Sequence, residues 1–323
     1  NCSECDSGAE LDAGLARSED GVPEDGCAAT ATALTPSQRE ALAPRETSQD
    51  ARDENAVHLR KRKVALFIAY VGTDYYGMQK NPGVKSIEDD LEQAIYRAGG
   101  ISTENFQKLQ RVQWARAART DKGVSAAGQV VSLKMHCETR EGTIDPSLVS
   151  RINAALPPAI RILGIRRATG GFCARNDCDR RQYEYVLPLS AIAPQRVDPH
   201  SVTAKELATI SDQDGLDAIE LFNTILRKYE GTHRFHNFTD KLAADNASAD
   251  RYMLSVRCER RILNVEGVRI VRIVLVGQSF VLHQIRNMIG LALQIHHGRA
   301  PLEALELALA RDGRMSIPIA PST

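Results

Sequence analysis

The stretch Val64-Ala-Leu-Phe-Ile-Ala-Tyr-Val71 is one of the longest apolar runs in the chain and sets the start of its folded part. It directly follows the basic cluster Arg60-Lys61-Arg62-Lys63, and its uninterrupted apolar character predicts a strand buried on both faces. Downstream, Ser86-Ile-Glu-Asp89 resembles a capping box, and the apolar spacing after it predicts a helix that ends at Gly99-Gly100. A strand and a helix therefore open the globular domain.

The charge changes sign where that domain begins. Residues 1–55 hold 13 acidic and 4 basic side chains, whereas the rest of the 323-residue chain holds 37 basic and 28 acidic ones. Residues 1–58 are poor in apolar clusters, so they predict a disordered acidic tail. Residues 59–323 then form the folded domain, whose basic excess suits a polyanionic partner, although many proteins with such an excess bind no nucleic acid.

The remaining pattern mixes strands and helices without the regular alternation of a doubly wound parallel sheet. It predicts an α+β fold with a largely antiparallel sheet and helices packed on it. Strands are expected over 129–135, 160–168, 182–187, 254–263 and 268–276, and helices over 146–156, 216–229, 279–296 and 301–310. We expect two related halves that face a cleft, an N-terminal half of about 59–140 and a C-terminal half of about 141–323.

Several classes of protein are disfavoured. No apolar run reaches the roughly 18 residues of a membrane helix, so no membrane partner is expected. The seven cysteines are odd in number and irregularly spaced, which argues against a disulfide scaffold. Cys2 and Cys5 form one CxxC without a second pair, and His233 and His236 lack a clear third ligand even if His283 is counted. We therefore predict no metal site.

The densest candidate for chemistry is Arg119-Thr120-Asp121-Lys122-Gly123-Val124-Ser125-Ala126. Cations on both sides of Asp121 favour its ionised form, and an ionised carboxylate in a cleft can act as a nucleophile or general base. The alternative is an ordinary turn with a surface ion pair, which is common and weak.

A second candidate is Gly277-Gln-Ser-Phe-Val-Leu-His-Gln-Ile-Arg286-Asn, predicted to be helical. Helical spacing would put Phe280, His283 and Asn287 on one face, and Arg286 could reach a carboxylate while its stem lies near the core. An amphipathic core helix with a solvated arginine is the alternative.

A third candidate is Arg181-Gln-Tyr183-Glu-Tyr185. Strand alternation places Tyr183 and Tyr185 on one face, where aromatic rings can stack an unpaired base. Ordinary core tyrosines would give the same pattern.

These motifs carry a resemblance to a known family. ARTDKGVSAAGQVVSLK (118–134) closely resembles the signature of the TruA-type tRNA pseudouridine synthases. The resemblance continues in IAYVGTDYYGMQKNPGVKSIEDDL, INAALPPAIRILGIRRATGGFCARNDCDRRQYEYVLP, GTHRFHNFT and GQSFVLHQIRNMIGL, in order across residues 61–320. The MQKNP, GTHRFHNFT and GQSFVLHQIR versions are most similar to the eukaryotic branch typified by tRNA pseudouridine synthase 1. Ala117 stands where this branch usually has Cys, a small-for-small difference.

The resemblance implies two ferredoxin-like halves whose sheets join into one, with a basic RNA cleft between them. It implies that Asp121 is catalytic, that Tyr183 stacks on the uracil and assists the proton step, and that Arg286 pairs with Asp121. Arg119 would displace or replace the target base. Lys122, Tyr185 and His283 are the other residues expected to contact substrate. The family continues into a Gly-Leu-x-Leu strand beyond Thr323, so we expect the last strand to be missing.

The implied activity is isomerisation of specific uridines in tRNA to pseudouridine, with mRNA or small nuclear RNA as further partners and no cofactor. An RNA-binding module with impaired catalysis is the alternative. A glycoside hydrolase would need two carboxylates, and the signature supplies only Asp121. The resemblance implies nuclear residence, with which the basic cluster at Arg60–Lys63 is compatible, and a mitochondrial form stays open.

Overall fold

A computed structural model describes residues 59–193, 210–240, 242–311 and 314–321. Residues 57–323 form one compact unit, and the predicted acidic tail lies outside the described residues. The unit is α+β, as predicted, with two antiparallel sheets. Within the described residues, no helix is long and apolar enough to cross a bilayer.

The first sheet has the strand order β2-β3-β1-β4, and two helices pack on it. Its elements, in chain order, are β1 (Arg60–Tyr70), α1 (Ile87–Arg97), β2 (Ala115–Arg116), β3 (Ala126–Glu138), α2 (Leu148–Ala155) and β4 (Ile160–Arg167). The capping box at the start of α1 is confirmed, since Ser86 Oγ accepts from Asp89 N while the Asp89 carboxylate accepts from Ser86 N. This reciprocal pair fixes where α1 begins.

β1 is less buried than its apolar sequence predicts. Val64, Leu66 and Ile68 point into the core, but Phe67 is 41% exposed on the other face. The segment that follows β4 crosses only part of that face, and Ala174 N donates to Ser132 Oγ at 3.0 Å. The outer face of the first sheet is therefore covered at one end only, which explains why Phe67 is more exposed than the sequence predicts.

The second sheet has the order β5-β9-β7-β6, and β8 pairs with β9. Its elements are β5 (Arg181–Pro188), α3 (Asp212–Leu226), β6 (Gly231–Arg234), β7 (Asp250–Cys258), β8 (Leu263–Val265), β9 (Val268–Gly277), α4 (Gln284–His296) and α5 (Glu303–Leu309). A core made by Phe222, Tyr229, Val271, Ile273 and Ile289 lies between the sheet and its helices.

Two predictions about the halves need correction. β4 pairs with β1, and Leu148, Ile152 and Ile160 pack in the core of the first sheet, so the first half extends to Arg167 instead of ending near residue 140. Local periodicity could not show this, because it does not reveal which sheet a strand joins.

The predicted single joined sheet is also wrong, since no strand pairing links the two sheets in the part of the chain that the structure describes. The edge strands β2 and β5 approach each other at Ala117 and Arg181. The Ala117 carbonyl accepts from Arg181 Nε at 3.1 Å and Nη2 at 2.7 Å. At this point the two sheets are therefore linked by a side chain and not by strand pairing.

Candidate active site

The loop of residues 117–125, which carries Asp121, connects β2 to β3 and lies against the turn of residues 72–78. Three hydrogen bonds join loop and turn: Met78 N to Thr120 O at 3.1 Å, Gly123 N to Tyr75 O at 3.1 Å, and Gly72 N to Ser125 Oγ at 3.0 Å. Because two of these bonds are between backbone groups, the position of the loop depends on the fold of both segments.

Two glycines of the turn allow this close approach. A Cβ atom at Gly72 would overlap the carbonyl oxygen of Val124, and one at Gly77 would press on the carbonyl oxygen of Thr120. Gly77 also has a φ of +98°, a conformation that other residues rarely adopt. The turn therefore needs glycine at both positions to hold the Asp121 loop where it is.

Tyr70, the last residue of β1, supports the loop from inside the domain. Its hydroxyl lies 2.8 Å from Thr120 Oγ1, one residue before Asp121. Nearby, Gln129 Nε2 donates to the carbonyl of Ala118 at 3.1 Å. Burial raises the pKa of Tyr70, and its hydrogen bonds with Thr120 and Gln129 oppose that rise. Sequence reasoning missed Tyr70, because it reads only as the polar end of an apolar strand.

Tyr183 approaches the same loop from β5. Its ring packs edge-on against Phe280, with centroids 4.9 Å apart and planes at 75°. Burial raises the pKa of Tyr183 to about 12, Arg181 opposes the rise, and the negative charge of Asp121 adds to it. The carboxylate is therefore close enough to Tyr183 to disfavour a phenolate, and the phenol stays neutral at physiological pH.

The Asp121 side chain is exposed at this junction. Among the described residues, no ion pair within 4.0 Å includes it. Arg286, its predicted partner, instead donates from Nε to the carbonyl of Ala320 at 2.7 Å, and Ala320 N donates back to Arg286 O at 3.1 Å. The charge of Asp121 thus reaches Tyr183, whereas the Arg286 guanidinium is held on the C-terminal segment.

The predicted helix over 279–296 begins later, at Gln284. His283 has a φ of +61°, and the Gln284 side chain accepts from Val281 N at 2.8 Å, so residues 280–283 form a turn. Phe280 and His283 therefore do not share a helical face with Asn287, contrary to the prediction. Phe280 instead reaches Tyr183, and His283 is half-buried before the helix.

Tyr185 lies in the core of the second sheet. It is 7% exposed, and its hydroxyl donates to the Pro321 carbonyl at 2.6 Å. The predicted alternation is correct, because Tyr183 and Tyr185 point to the same face. However, a buried and hydrogen-bonded Tyr185 offers no surface to a substrate in this structure.

Arg119 and Lys122 are both exposed on the loop, on either side of Asp121. Lys122 Nζ lies 4.3 Å from the ring centroid of Tyr76, which is a cation–π contact. Two cations next to an exposed carboxylate favour an anionic ligand at this place.

No group of three or more His, Cys, Asp and Glu side chains that could hold a metal occurs among the described residues. The CxxC of Cys2 and Cys5 lies outside them. Cys137, Cys173, Cys178 and Cys258 are free thiols.

Comparison with known proteins points to one family. A sequence model described as tRNA pseudouridine synthase matches residues 225–323. The pseudouridylate synthase 1 homolog of Mus musculus is 41% identical over 81% of this chain and 59% of its own length, and that of Homo sapiens is 42% identical over 80% and 57%. A Schizosaccharomyces pombe protein whose name places it among the tRNA pseudouridine synthases is 31% identical over 83% of this chain and 70% of its own.

The chain spans somewhat under 60% of the length of the two mammalian relatives, and 70% of the S. pombe protein. These relatives are more than 30% identical to this chain across most of its folded unit, and the shared motifs lie on both sheets. Together, these two findings show the family. The chain belongs to the tRNA pseudouridine synthases.

Proposed function

We propose that this chain isomerises uridine to pseudouridine in tRNA, with Asp121 as the catalytic residue. The observation that carries the proposal is the position of Asp121. It lies in a loop held by Gly72, Gly77 and Tyr70, and its charge acts on the half-buried phenol of Tyr183. Family membership supplies the reaction class, and the fixed carboxylate supplies a group that can start it.

The reaction needs little from outside the protein. The bond from C1′ to N1 breaks, C1′ bonds to C5, the C5 proton leaves and N1 gains a proton, so atoms and charge balance. A carboxylate can begin either by attack at C1′ or by removal of the C2′ proton. Neither route requires a metal, a redox partner or a transferred group, and we propose no cofactor.

Tyr183 suits the role of a stacking and hydrogen-bonding group. Its raised pKa keeps the phenol neutral, because both burial and the charge of Asp121 oppose a phenolate. A neutral ring beside the carboxylate can stack on a displaced uracil and donate a hydrogen bond. Removal of the C5 proton by a phenolate would work against that electrostatic environment.

We further propose that RNA enters a basic cleft between the two halves, where Arg119 fills the space of the displaced base and Lys122 and His283 contact the RNA. The charge of residues 56–323, with 37 basic and 28 acidic side chains, supports a polyanionic partner. Arg286 would pair with Asp121 when substrate is bound. Other structured RNAs, such as mRNA and small nuclear RNA, are proposed as further substrates.

Tritium release from C5-labelled uridine in tRNA tests the proposal. We expect release with the wild-type chain and a loss of at least a thousandfold with Asp121→Asn, which keeps the shape and removes the charge. Asp177→Asn is a matched control, because its carboxylate only accepts a loop hydrogen bond from Cys173 N. Equal release from the wild type and Asp121→Asn would refute the role of Asp121.

A second function, RNA binding without catalysis, has one observation in its favour. Arg286 Nε is engaged by Ala320, and Asp121 forms no ion pair within the described residues. This alternative predicts salt-dependent tRNA binding with no tritium release at saturating protein. The same assay therefore separates the two functions.

A nuclear location, with a mitochondrial form as the alternative, is also proposed from the resemblance. The basic cluster at Arg60–Lys63 contributes little support, because it opens β1. Lys63 is 7% exposed, and Arg62 pairs with Glu138 at 2.7 Å. A fluorescent fusion with Arg60 and Lys61 neutralised should stay nuclear if the signal lies elsewhere, and cytoplasmic redistribution would show that these two cations carry it.

A further inference from the structure

We propose that Tyr76 and Lys122 form a binding site for the nucleotide next to the target uridine. Tyr76 would stack on its base, and Lys122 would contact its phosphate. This inference rests on the proposed function, because it assumes that RNA reaches Asp121.

The first observation is the contrast between two neighbouring tyrosines. Tyr75 is 2% exposed, donates its hydroxyl to Asp90 at 2.7 Å and lies 4.5 Å from Lys85 Nζ, so it is part of the core. Tyr76 is 52% exposed, and among the described residues its hydroxyl has no hydrogen-bond partner. Burial and hydrogen bonding explain Tyr75, but they leave the exposed ring of Tyr76 without a structural role.

The second observation is the position of Tyr76 beside the catalytic loop. The next residue, Gly77, lies against the backbone of Thr120 and Asp121, and Met78 N donates to Thr120 O at 3.1 Å. Tyr76 is also fixed by its own amide, which donates to Lys85 O at 2.9 Å. The exposed ring therefore lies next to the loop that carries the reacting carboxylate, on a backbone held on both sides.

The third observation is the cation on that ring. Lys122 follows Asp121, and its Nζ lies 4.3 Å from the centroid of Tyr76. Although a carboxylate is the adjacent residue, Lys122 makes no ion pair within 4.0 Å in the described ranges. A cation–π contact at an exposed site is weak and leaves the ammonium hydrated, so it can still bind a phosphate.

An exposed ring combined with an unpaired cation fits a nucleotide well. Aromatic side chains stack on unpaired bases largely independently of base identity, and lysine neutralises the backbone phosphate. Tyr183, whose phenol is influenced by the charge of Asp121, is the ring already proposed for the target base. A second ring next to the same carboxylate therefore fits the neighbouring nucleotide of the same strand.

Fluorescence of 2-aminopurine tests this assignment. The base analogue is placed on either side of the target uridine in a tRNA-derived stem-loop, and the chain carries Asp121→Asn to prevent turnover. We expect binding to quench the probe at one of the two positions. Tyr76→Leu should abolish that quenching and weaken binding about tenfold or more, whereas Tyr76→Phe should retain both.

Lys122→Gln tests the phosphate contact separately. It should reduce the magnitude of the slope of log K against log salt by about 0.7 to 0.9, while quenching at saturating protein persists. Lys108→Gln, an exposed lysine outside the loop, should leave the slope unchanged. Equal slopes for Lys122→Gln and the wild type would overturn the phosphate contact.

The outcomes separate this inference from the proposed function. Unchanged quenching and affinity in Tyr76→Leu would overturn the stacking site, even if the wild type releases tritium normally. Absence of tritium release from the wild type would refute the proposed function, whatever Tyr76 does to binding. A thermal melt of Tyr76→Leu at the wild-type temperature shows that lost quenching reflects the missing ring.

Discussion

The hydroxyl of Tyr70 lies 2.8 Å from Oγ1 of Thr120, the residue directly before Asp121. The contact joins the end of β1 to the loop that carries Asp121, 50 residues later in the chain. Since burial of Tyr70 excludes water from much of its surroundings, removal of its hydroxyl would leave Thr120 Oγ1 without this partner and would also remove the contact with Gln129.

Tyr70→Phe should therefore remove a hydrogen bond that anchors the loop, although no residue of the loop itself is changed. We expect kcat to fall about 10- to 100-fold with little change in KM, because positioning matters most in the transition state. The free energy of unfolding should fall by about 1–2 kcal/mol, the typical cost of an unsatisfied buried hydroxyl. Tritium-release kinetics and a urea titration measure the two effects.

The matched control is Tyr96→Phe, which removes a 3.4 Å contact between a tyrosine and a threonine, Thr103, at an exposed site away from the loop. It should leave kcat within twofold of the wild type. If Tyr70→Phe does the same, then Thr120 and the loop do not depend on this hydroxyl.

Gly72→Ala should push the loop away from the turn. Its new Cβ atom would overlap the carbonyl oxygen of Val124, and that oxygen belongs to backbone that cannot rotate away like a side chain. We expect a loss of about 1–3 kcal/mol in stability, as for other overpacked sites, and a marked decrease in kcat. Gly164→Ala in β4 has no atom within 4 Å of the added methyl group and should have an effect within about 0.5 kcal/mol. Similar losses in both variants would show that overlap with Val124 does not explain the effect of Gly72→Ala.

The pH dependence of Tyr183 has a definite sign. Its pKa is raised to about 12 in the folded state, above the ordinary value of 10, so folding favours the protonated phenol. Its contribution to stability is fully present below pH 10 and is lost as the pH rises towards 12. We expect the tyrosinate absorbance of native wild-type protein to exceed that of native Tyr183→Phe only near pH 12. A difference that develops near pH 10 would show that neither burial nor Asp121 controls this phenol.

Local sequence patterns predicted the parts of the structure that depend on neighbouring residues. The capping box at Ser86, the common face of Tyr183 and Tyr185, and the loop around Asp121 all follow from spacing within a few positions. The start of α4 was placed too early because nothing in the apolar period from residue 279 signals the left-handed conformation of His283.

Contacts between distant segments could not be predicted in this way. Arg286 and Ala320 are 34 positions apart, and Arg181 and Ala117 are 64 apart. In both pairs an arginine donates to a backbone carbonyl, which has no residue-specific signature in the sequence. The attachment of Arg286 to Ala320 and the separation of the two sheets were therefore features that local sequence patterns could not predict.

The last prediction concerns Gly290, where α4 meets the C-terminal segment of residues 314–321. A Cβ atom there would overlap the carbonyl oxygen of Pro318, so Gly290→Ala should displace the segment. The Tyr185 hydroxyl would then lose its bond to Pro321, and Arg286 would lose both of its bonds to Ala320. Hydrogen exchange should accelerate at the amide of Ala320, and thermal stability should fall.

Activity then distinguishes two roles of the segment. If it serves to orient Arg286, Gly290→Ala should lower kcat as well as stability, because a released guanidinium loses its fixed position. If the segment instead withholds Arg286 from Asp121, the same variant should raise kcat at temperatures where it remains folded. Gln294→Ala, on the same helix but without a side-chain hydrogen bond in the described residues, should alter neither exchange at Ala320 nor kcat. The present contacts, two hydrogen bonds between Ala320 and Arg286, favour the first result.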